Sequence, residues 1–183
     1  MQDTKDFASV LRFWFEEIKP AQWWSVDPAF DQTVRERFTP VHHAAVRGEL
    51  SHWRSQADGR LAEVIVLDQF SRNMHRGSAL AFAADPIALV LAQEAVAGAH
   101  DRSLSEDKRI FLYMPFMHSE SAIIHETAVL LFQALGRQSN LDFELRHKAI
   151  IDRFGRYPHR NAALGRTSSA DELRFLQEPG SSF

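Results

Sequence analysis

Two stretches of this chain, LDQFSRNMHRG at residues 67–77 and RFGRYPHRNAALGR at residues 153–166, crowd arginine, histidine and amide side chains against bulky apolar ones. A face that only has to stay solvated needs neither aromatics nor asparagine, so the mixture suggests a polar pocket set in an apolar wall. Residues 146–166 hold five arginines and one lysine against a single acid, Asp152. Guanidinium groups bind carboxylate and phosphate bidentately, and Asn161 or a helix N-terminus after Pro158 would supply further donors. An anionic small molecule or a peptide carboxylate fits that chemistry. The alternative is a solvated basic face, against which Phe154, Tyr157, Ala162, Ala163 and Leu164 imply that part of the segment packs down. In the first stretch, a helix over residues 60–75 would put Asp68, Arg72 and His75 or Arg76 on one face, with Gln69, Asn73 and Arg76 as the adjacent stripe. Such a convergence is either a ligand site or an ion-pair network tying the helix end to its neighbours, since buried arginines need partners in both cases.

Other reactive side chains carry less. His118, His125 and Glu126 lie seven and eight apart, whereas zinc takes helical ligands four apart or three converging from several elements, and there is no HExxH. Adjacent His42 and His43 would point about 100° apart on a helix. The run HSE at 118–120 has no GxSxG elbow to support a serine nucleophile. No glycine-rich phosphate loop is present, which argues against a nucleotide-dependent enzyme, and the absence of cysteine excludes thiolate chemistry and disulfides. Neither a metal nor a cofactor is therefore expected. Trp14, Trp23, Trp24 and Trp53, with Phe13 and Phe15, are assigned to packing.

The elements that must position these groups read as helices. Residues 6–18 place Phe7, Val10, Leu11, Trp14, Phe15 and Ile18 on one apolar face. Asp27-Pro28 and Asp85-Pro86 read as N-caps followed by proline at the first helical position, and Pro40 is expected to kink or end the first of these helices. Asp58-Gly59 starts a helix through residue 75 whose Val64–Leu67 run is apolar on every side, so other helices must surround it. Further helices are predicted over 86–97 with Gly98 at the C-cap, from Ser105 toward Pro115, from a Ser119 cap to Gly136, and over 142–154 ended by Gly155. Ser169 and Glu172 have capping-box spacing for a last short helix with Leu173 and Leu176. Eight or nine helices without strand alternation make the chain all-α.

At 183 residues with 45% hydrophobic side chains, one domain over 1–178 is expected, followed by a disordered tail at 179–183. A net charge of −3 gives no global reason to expect nucleic acid or an acidic membrane as partner. MQDTKDFASV lacks the pattern of a secretory leader, and no stretch approaches the length of a membrane span, so a cytoplasmic protein is expected.

From VLRFWF at 10–15 through LDQFSRNMHRG, AFAADPIAL and YMPFMHSE at 113–120 to RFGRYPHRNAALGR, the chain resembles the DUF924 family of bacterial proteins of unknown function. The resemblance implies antiparallel helix pairs wound into a right-handed, tetratricopeptide-repeat-like superhelix with a concave groove, and no established activity. Its patterns fall on Asp68, Gln69, Arg72, Asn73 and Arg76, on Tyr113, Pro115, His118, Ser119 and Glu120, and on Arg153, Arg156, His159, Arg160 and Asn161. Ser71 stands where the family commonly has proline, and His75 where an aromatic or apolar residue is frequent. SAIIH at 121–125 is more apolar than the family's version, which sets His125 apart from any shared site. Three functional expectations follow. One is a helical binding module whose groove holds an anionic small molecule or peptide through these residues. Another is a metal-independent hydrolase or lyase using His118 or His159 as acid or base, oriented by Glu120 or Asp68. In the third, the polar motifs only cement helix packing.

Overall fold

The computed structural model describes residues 6–182; residues 1–5 and Phe183, the last residue of the expected tail, lie outside the described part. Among the described residues there are nine α-helices and no strand, as expected for an all-α chain. They are α1 (Phe7–Arg12), α2 (Pro28–Val46), α3 (Ala57–Ile65), α4 (Ser71–Met74), α5 (Asp85–Ala97), α6 (Glu106–Met117), α7 (Ala122–Leu135), α8 (Gln138–Phe154) and α9 (Ala170–Phe175). The chain divides into two compact units. The first comprises residues up to Arg76 with Leu80–Pro115, and the second Gly77–Ala79 with residues from Phe116 onward.

In the first unit α1 packs on α3, α2 on α4 and on the turn before it, and α3 on α5. Asp27 caps α2 by accepting the Ala29 N–H at 2.9 Å, with Pro28 at the first position. Pro40 does not end this helix, which runs on to Val46. Pro40 and Glu36, whose carbonyl it leaves without a donor, are both exposed and open to solvent, while Val41, His42 and Ala45 continue the buried face. Asp85 is not an N-cap either: α5 starts at Asp85 itself without a side-chain cap, because the carboxylate is engaged by Arg72. Between α3 and α4 the backbone widens into a π-helical turn, Val66–Phe70, all of it buried. The core around it is aromatic, with Phe38 and Phe70 ring centroids 4.7 Å apart, Phe13 and Phe38 4.9 Å, and Trp14 and Phe111 5.5 Å. Trp14 and Trp53 are buried as expected, whereas Trp24 is 58% exposed and stacks on Phe111.

In the second unit α7 and α8 form a helix hairpin through Gly136, whose φ of 78° is the left-handed cap that the sequence places there. Gly155 ends α8 in the same way at φ 67°. The expected capping box holds α9: Ser169 Oγ accepts the Glu172 N–H at 3.2 Å and Glu172 accepts the Ser169 N–H at 2.7 Å. Ile150, Ile151, Tyr157 and Phe175 form a core cluster, with Phe154 against it.

Against the expectation that no stretch approaches the length of a membrane span, residues 79–97 are apolar and long enough by composition to cross one. A turn at Phe82–Ala84 interrupts it, and the 13-residue α5 rises only about 20 Å against a hydrocarbon core of about 30 Å.

Candidate functional site

The residues singled out in the sequence fall into both units. In the first unit Arg72 reaches both oxygens of Asp85, at 2.8 and 3.0 Å, and lies 3.1 Å from Asp68. Asp68 is fully buried and also accepts from Gln69 Nε2 at 2.6 Å. Asn73 donates to Asp31 Oδ1 at 2.8 Å, and Arg76 grips the same carboxylate bidentately at 2.6 and 2.8 Å. Arg76 can do so because α4 ends at Met74, which takes it off the helical face expected for it. Burial pushes the Asp31 carboxyl up, but the hydrogen bonds of Arg76 and Asn73 and the charges of Arg76 and Arg35 outweigh it and hold the group below its ordinary value. Tyr113 donates to Asp101 at 2.6 Å and accepts from Arg109 at 3.1 Å; burial, then the bond to Asp101, pushes its phenol up to about 12.

Ser71 and His42 add a buried polar contact that the motif analysis did not foresee, with Oγ and Nε2 2.8 Å apart. Ser71 also lies 2.6 Å from Leu67 O, which can only accept, so its one proton goes there and His42 Nε2–H must donate to the serine oxygen. His42 Nδ1 then remains a bare acceptor, buried without a hydrogen-bond partner. This tautomer suits an imidazole lowered to about 4 by burial and, secondarily, by His75 and His43. A serine whose proton is committed to a carbonyl is not poised as a nucleophile.

In the second unit the loop after α8 is fastened to the segment before α7. Glu120 accepts the Tyr157 N–H at 2.8 Å and both Arg166 Nη groups at 2.7 and 2.9 Å. Burial raises the Glu120 pKa, yet the Arg166 and Tyr157 hydrogen bonds and the fields of Arg166 and Arg160 bring it below the ordinary value. Arg160 lies over the Tyr157 ring, its guanidinium carbon 4.5 Å from the centroid. Arg156 clasps Glu172 at 2.6 and 2.8 Å, and chiefly through that bond the Glu172 carboxyl falls to about 2. Arg153 pairs with Asp171 at 3.1 Å, and Asn161 donates to Ser168 at 3.0 Å.

Histidines gather around Tyr157. The ring centroids of His159, His147 and His125 lie 5.7, 5.8 and 6.3 Å from its own. His147 is lowered to about 3 by burial, partly offset by its bond to Phe143 O, with the charges of His118, His125 and His159 lowering it further. His159 and His118, whose charge bears on His147, are half-buried, whereas His125 and His147 are buried.

His125 and Glu144 have no solvent-exposed side-chain surface and meet at 2.6 Å, Nδ1 to Oε1. His125 Nε2 lies 2.8 Å from Ser119 O and 3.1 Å from the Tyr157 hydroxyl, whose proton goes to Met117 O at 2.6 Å. Nε2 therefore carries hydrogen and donates. At the other nitrogen, an unprotonated Nδ1 would set its lone pair against a carboxylate oxygen, so the pair must hold one more proton between Nδ1 and Oε1. Burial raises the Glu144 pKa against the opposing bond and charge of His125 and the charge of Lys148, and Glu144 Oε2 is buried without a hydrogen-bond partner. This histidine and carboxylate are in hydrogen-bond contact but closed to substrate, which makes them framework rather than machinery.

Sequence reasoning missed the acids Asp31, Asp85 and Glu144 and the imidazole His147. Two of them left a signal. Asp31 shares the inner face of α2 with Val34 and Phe38, and Glu144 shares that of α8 with His147 and Ile151, where polar side chains interrupt an otherwise buried stripe. Among the described residues no group of three or more histidine or acidic side chains is arranged to hold a metal ion.

The sequence model of one family, bacterial protein of unknown function (DUF924), matches residues 10–180. A solved structure of a protein of unknown function from Agrobacterium tumefaciens is similar at 40% identity and a TM-score of 0.89, with 93% of this chain and 96% of that one covered. No curated protein matches.

Proposed function

Because the chain belongs to the DUF924 family of bacterial proteins of unknown function, its role has to be read from its own chemistry, and we propose that it is a helical binding module for an anionic small molecule or peptide carboxylate. The binding face lies in the second unit, on the half-buried His118, His159 and Arg166, with the buried Arg160 over Tyr157 adding its charge. The observation that supports this reading is the gathering of cationic and imidazole groups at one carboxylate: Glu120 is gripped by Arg166 and lies in the field of Arg160, with His118 and His159 half-buried in the same unit. An added carboxylate or phosphate would complete that arrangement through forked guanidinium donors and imidazole N–H groups. Titrating the full chain with inorganic phosphate, succinate and an N-acetyl dipeptide, read by calorimetry and thermal shift, tests it. Saturable binding of one of these, lost in His159→Gln with the unliganded melting temperature kept, is the expected result. Absence of saturable binding for all three would overturn it.

A second reading, that the motifs are architecture, has its own support in the first unit and at the edge of the second. Arg72, Arg76, Arg153 and Arg156 each hold an internal acid, Asp85, Asp31, Asp171 and Glu172 respectively. These four are assigned to framework, which confines the proposed ligand contacts to the Tyr157 surroundings.

A further inference from the structure

Tyr157 is the hub of the polar face in the second unit. The ring centroids of His159 and His147 lie 5.7 and 5.8 Å from its own, and the Arg160 guanidinium carbon sits 4.5 Å from the same centroid. Tyr157 N–H and both Arg166 Nη groups converge on Glu120, and Arg166 also reaches Tyr157 O at 3.3 Å. His118 stands two residues before Glu120, and its charge, like that of His159, bears on His147. Two half-buried imidazoles therefore reach this ring from separate segments, the link before α7 and the loop after α8.

These donors discriminate among anions. A carboxylate is matched best by one guanidinium fork, and the fork of Arg166 is already filled by Glu120. An imidazole offers a ligand oxygen one N–H at a time, so a pair from different segments suits a centre with several terminal oxygens, a tetrahedral oxyanion. Charge points the same way. The acids around Tyr157, Glu120 and Glu144, are engaged by Arg166 and His125, and the buried His147, lowered to about 3, stays neutral. An imidazole partly open to water changes charge close to neutrality, which leaves His118 and His159 as the groups that can gain a proton when an anion arrives. The groups of this unit that surround them are His147 on α8, His125 on α7 with Glu144 beside it, and Glu120, Arg160 and Arg166. Without a ligand the two arginines oppose protonation of the imidazoles, and a bound oxyanion reverses that sign. A doubly charged ligand holds such a proton more strongly than a singly charged one, and by linkage the proton holds the ligand.

On the anion-binding reading above, we propose that this face is selective for a phosphate monoester, whose dianion is bound together with about one proton shared between His118 and His159.

Calorimetric titration of the full chain with methyl phosphate, sulfate and acetate near pH 7, each in two buffers of different ionisation enthalpy, counts the protons. Methyl phosphate and sulfate are expected to bind at least about tenfold more tightly than acetate, with uptake of about one proton. Sulfate keeps its charge throughout, so its pH profile reports the protein alone: its affinity should rise as pH falls from about 8 to 6, by up to about tenfold per unit. His118→Gln should lose at least half of the proton uptake and flatten the profile, whereas Arg174→Gln, which removes an exposed cation of the same unit, should change neither. Because the proton count is taken on the wild type, a variant that fails to fold does not decide the outcome. Methyl phosphate bound without proton uptake, a flat sulfate profile, or acetate bound as tightly as methyl phosphate each overturns the proposal while leaving the anion-binding reading standing. Absence of saturable binding by all three overturns it as well, and the titration with inorganic phosphate, succinate and the dipeptide then shows whether that reading falls with it.

Discussion

Replacing Glu144 by glutamine keeps a hydrogen-bond donor for His125 Nδ1 while removing the carboxyl group whose pKa burial raises. The sign follows from that direction: the contribution of Glu144 is complete below its unfolded value of 4.5 and is lost as pH rises through the higher folded value. Urea unfolding across this range should therefore show wild-type stability falling relative to Glu144→Gln as pH rises, and a constant difference would refute the buried proton. Glu144→Ala, which strands the imidazole, is expected to cost about 3–5 kcal/mol. Arg156 makes the opposite case. Its bond holds Glu172 at about 2, so the stabilisation is present above the unfolded value of 4.5 and disappears as pH falls toward 2. Arg156→Ala should melt lower at neutral pH and lose less than the wild type between those limits. Equal acid limbs in the two proteins would mean that Glu172 owes nothing to Arg156.

At the scale of elements, the packing of α3 depends on the absence of one side chain. A Cβ at Gly59 would collide with the carbonyl oxygen of Trp53, a backbone atom that cannot swing aside. Gly59→Ala should destabilise by about 1–3 kcal/mol in denaturant titration, with the Trp53 environment altered; a neutral effect would mean that the 3₁₀ turn at Ser51–Ser55 yields freely. Helix ends of the kind that glycine and short polar side chains write locally were legible in the sequence, as at Gly136, Gly155, Asp27 and the Ser169–Glu172 box. Less legible were ends decided by distant atoms. Asp85 has the composition of a cap, but Arg72, thirteen residues away, takes its carboxylate. Pro40 looks like a terminator, but the bond it removes faces water. The candidate site followed the same rule: its arginines and asparagines were visible as motifs, whereas Asp31 lies 42 and 45 residues from Asn73 and Arg76, and no local spacing connects them.

For the molecule as a whole, one neutral histidine in each unit adds to the carboxylate contribution to acid lability. His42 is lowered to about 4 and His147 to about 3, in both cases first by burial. Each unfolded imidazole binds a proton near 6.5 while the folded one does not, so stability falls as pH drops below that value, by about 3 kcal/mol per group near pH 4. The proton uptake on unfolding near pH 5 should fall by about one in either His42→Gln or His147→Gln; no reduction in one of them would mean that histidine is already charged when folded. A different kind of property comes from the widened turn at Val66–Phe70. It accommodates more backbone per turn than an α-helix. Deleting one residue there would let the turn relax to ordinary pitch while the following residues keep their facing, because five residues at π pitch cover nearly the rotation of four at α pitch. Ser71 would still meet His42 and Arg72 would still meet Asp85. The segment therefore holds one residue of slack, and the chain can lose a residue there without turning the face that follows it.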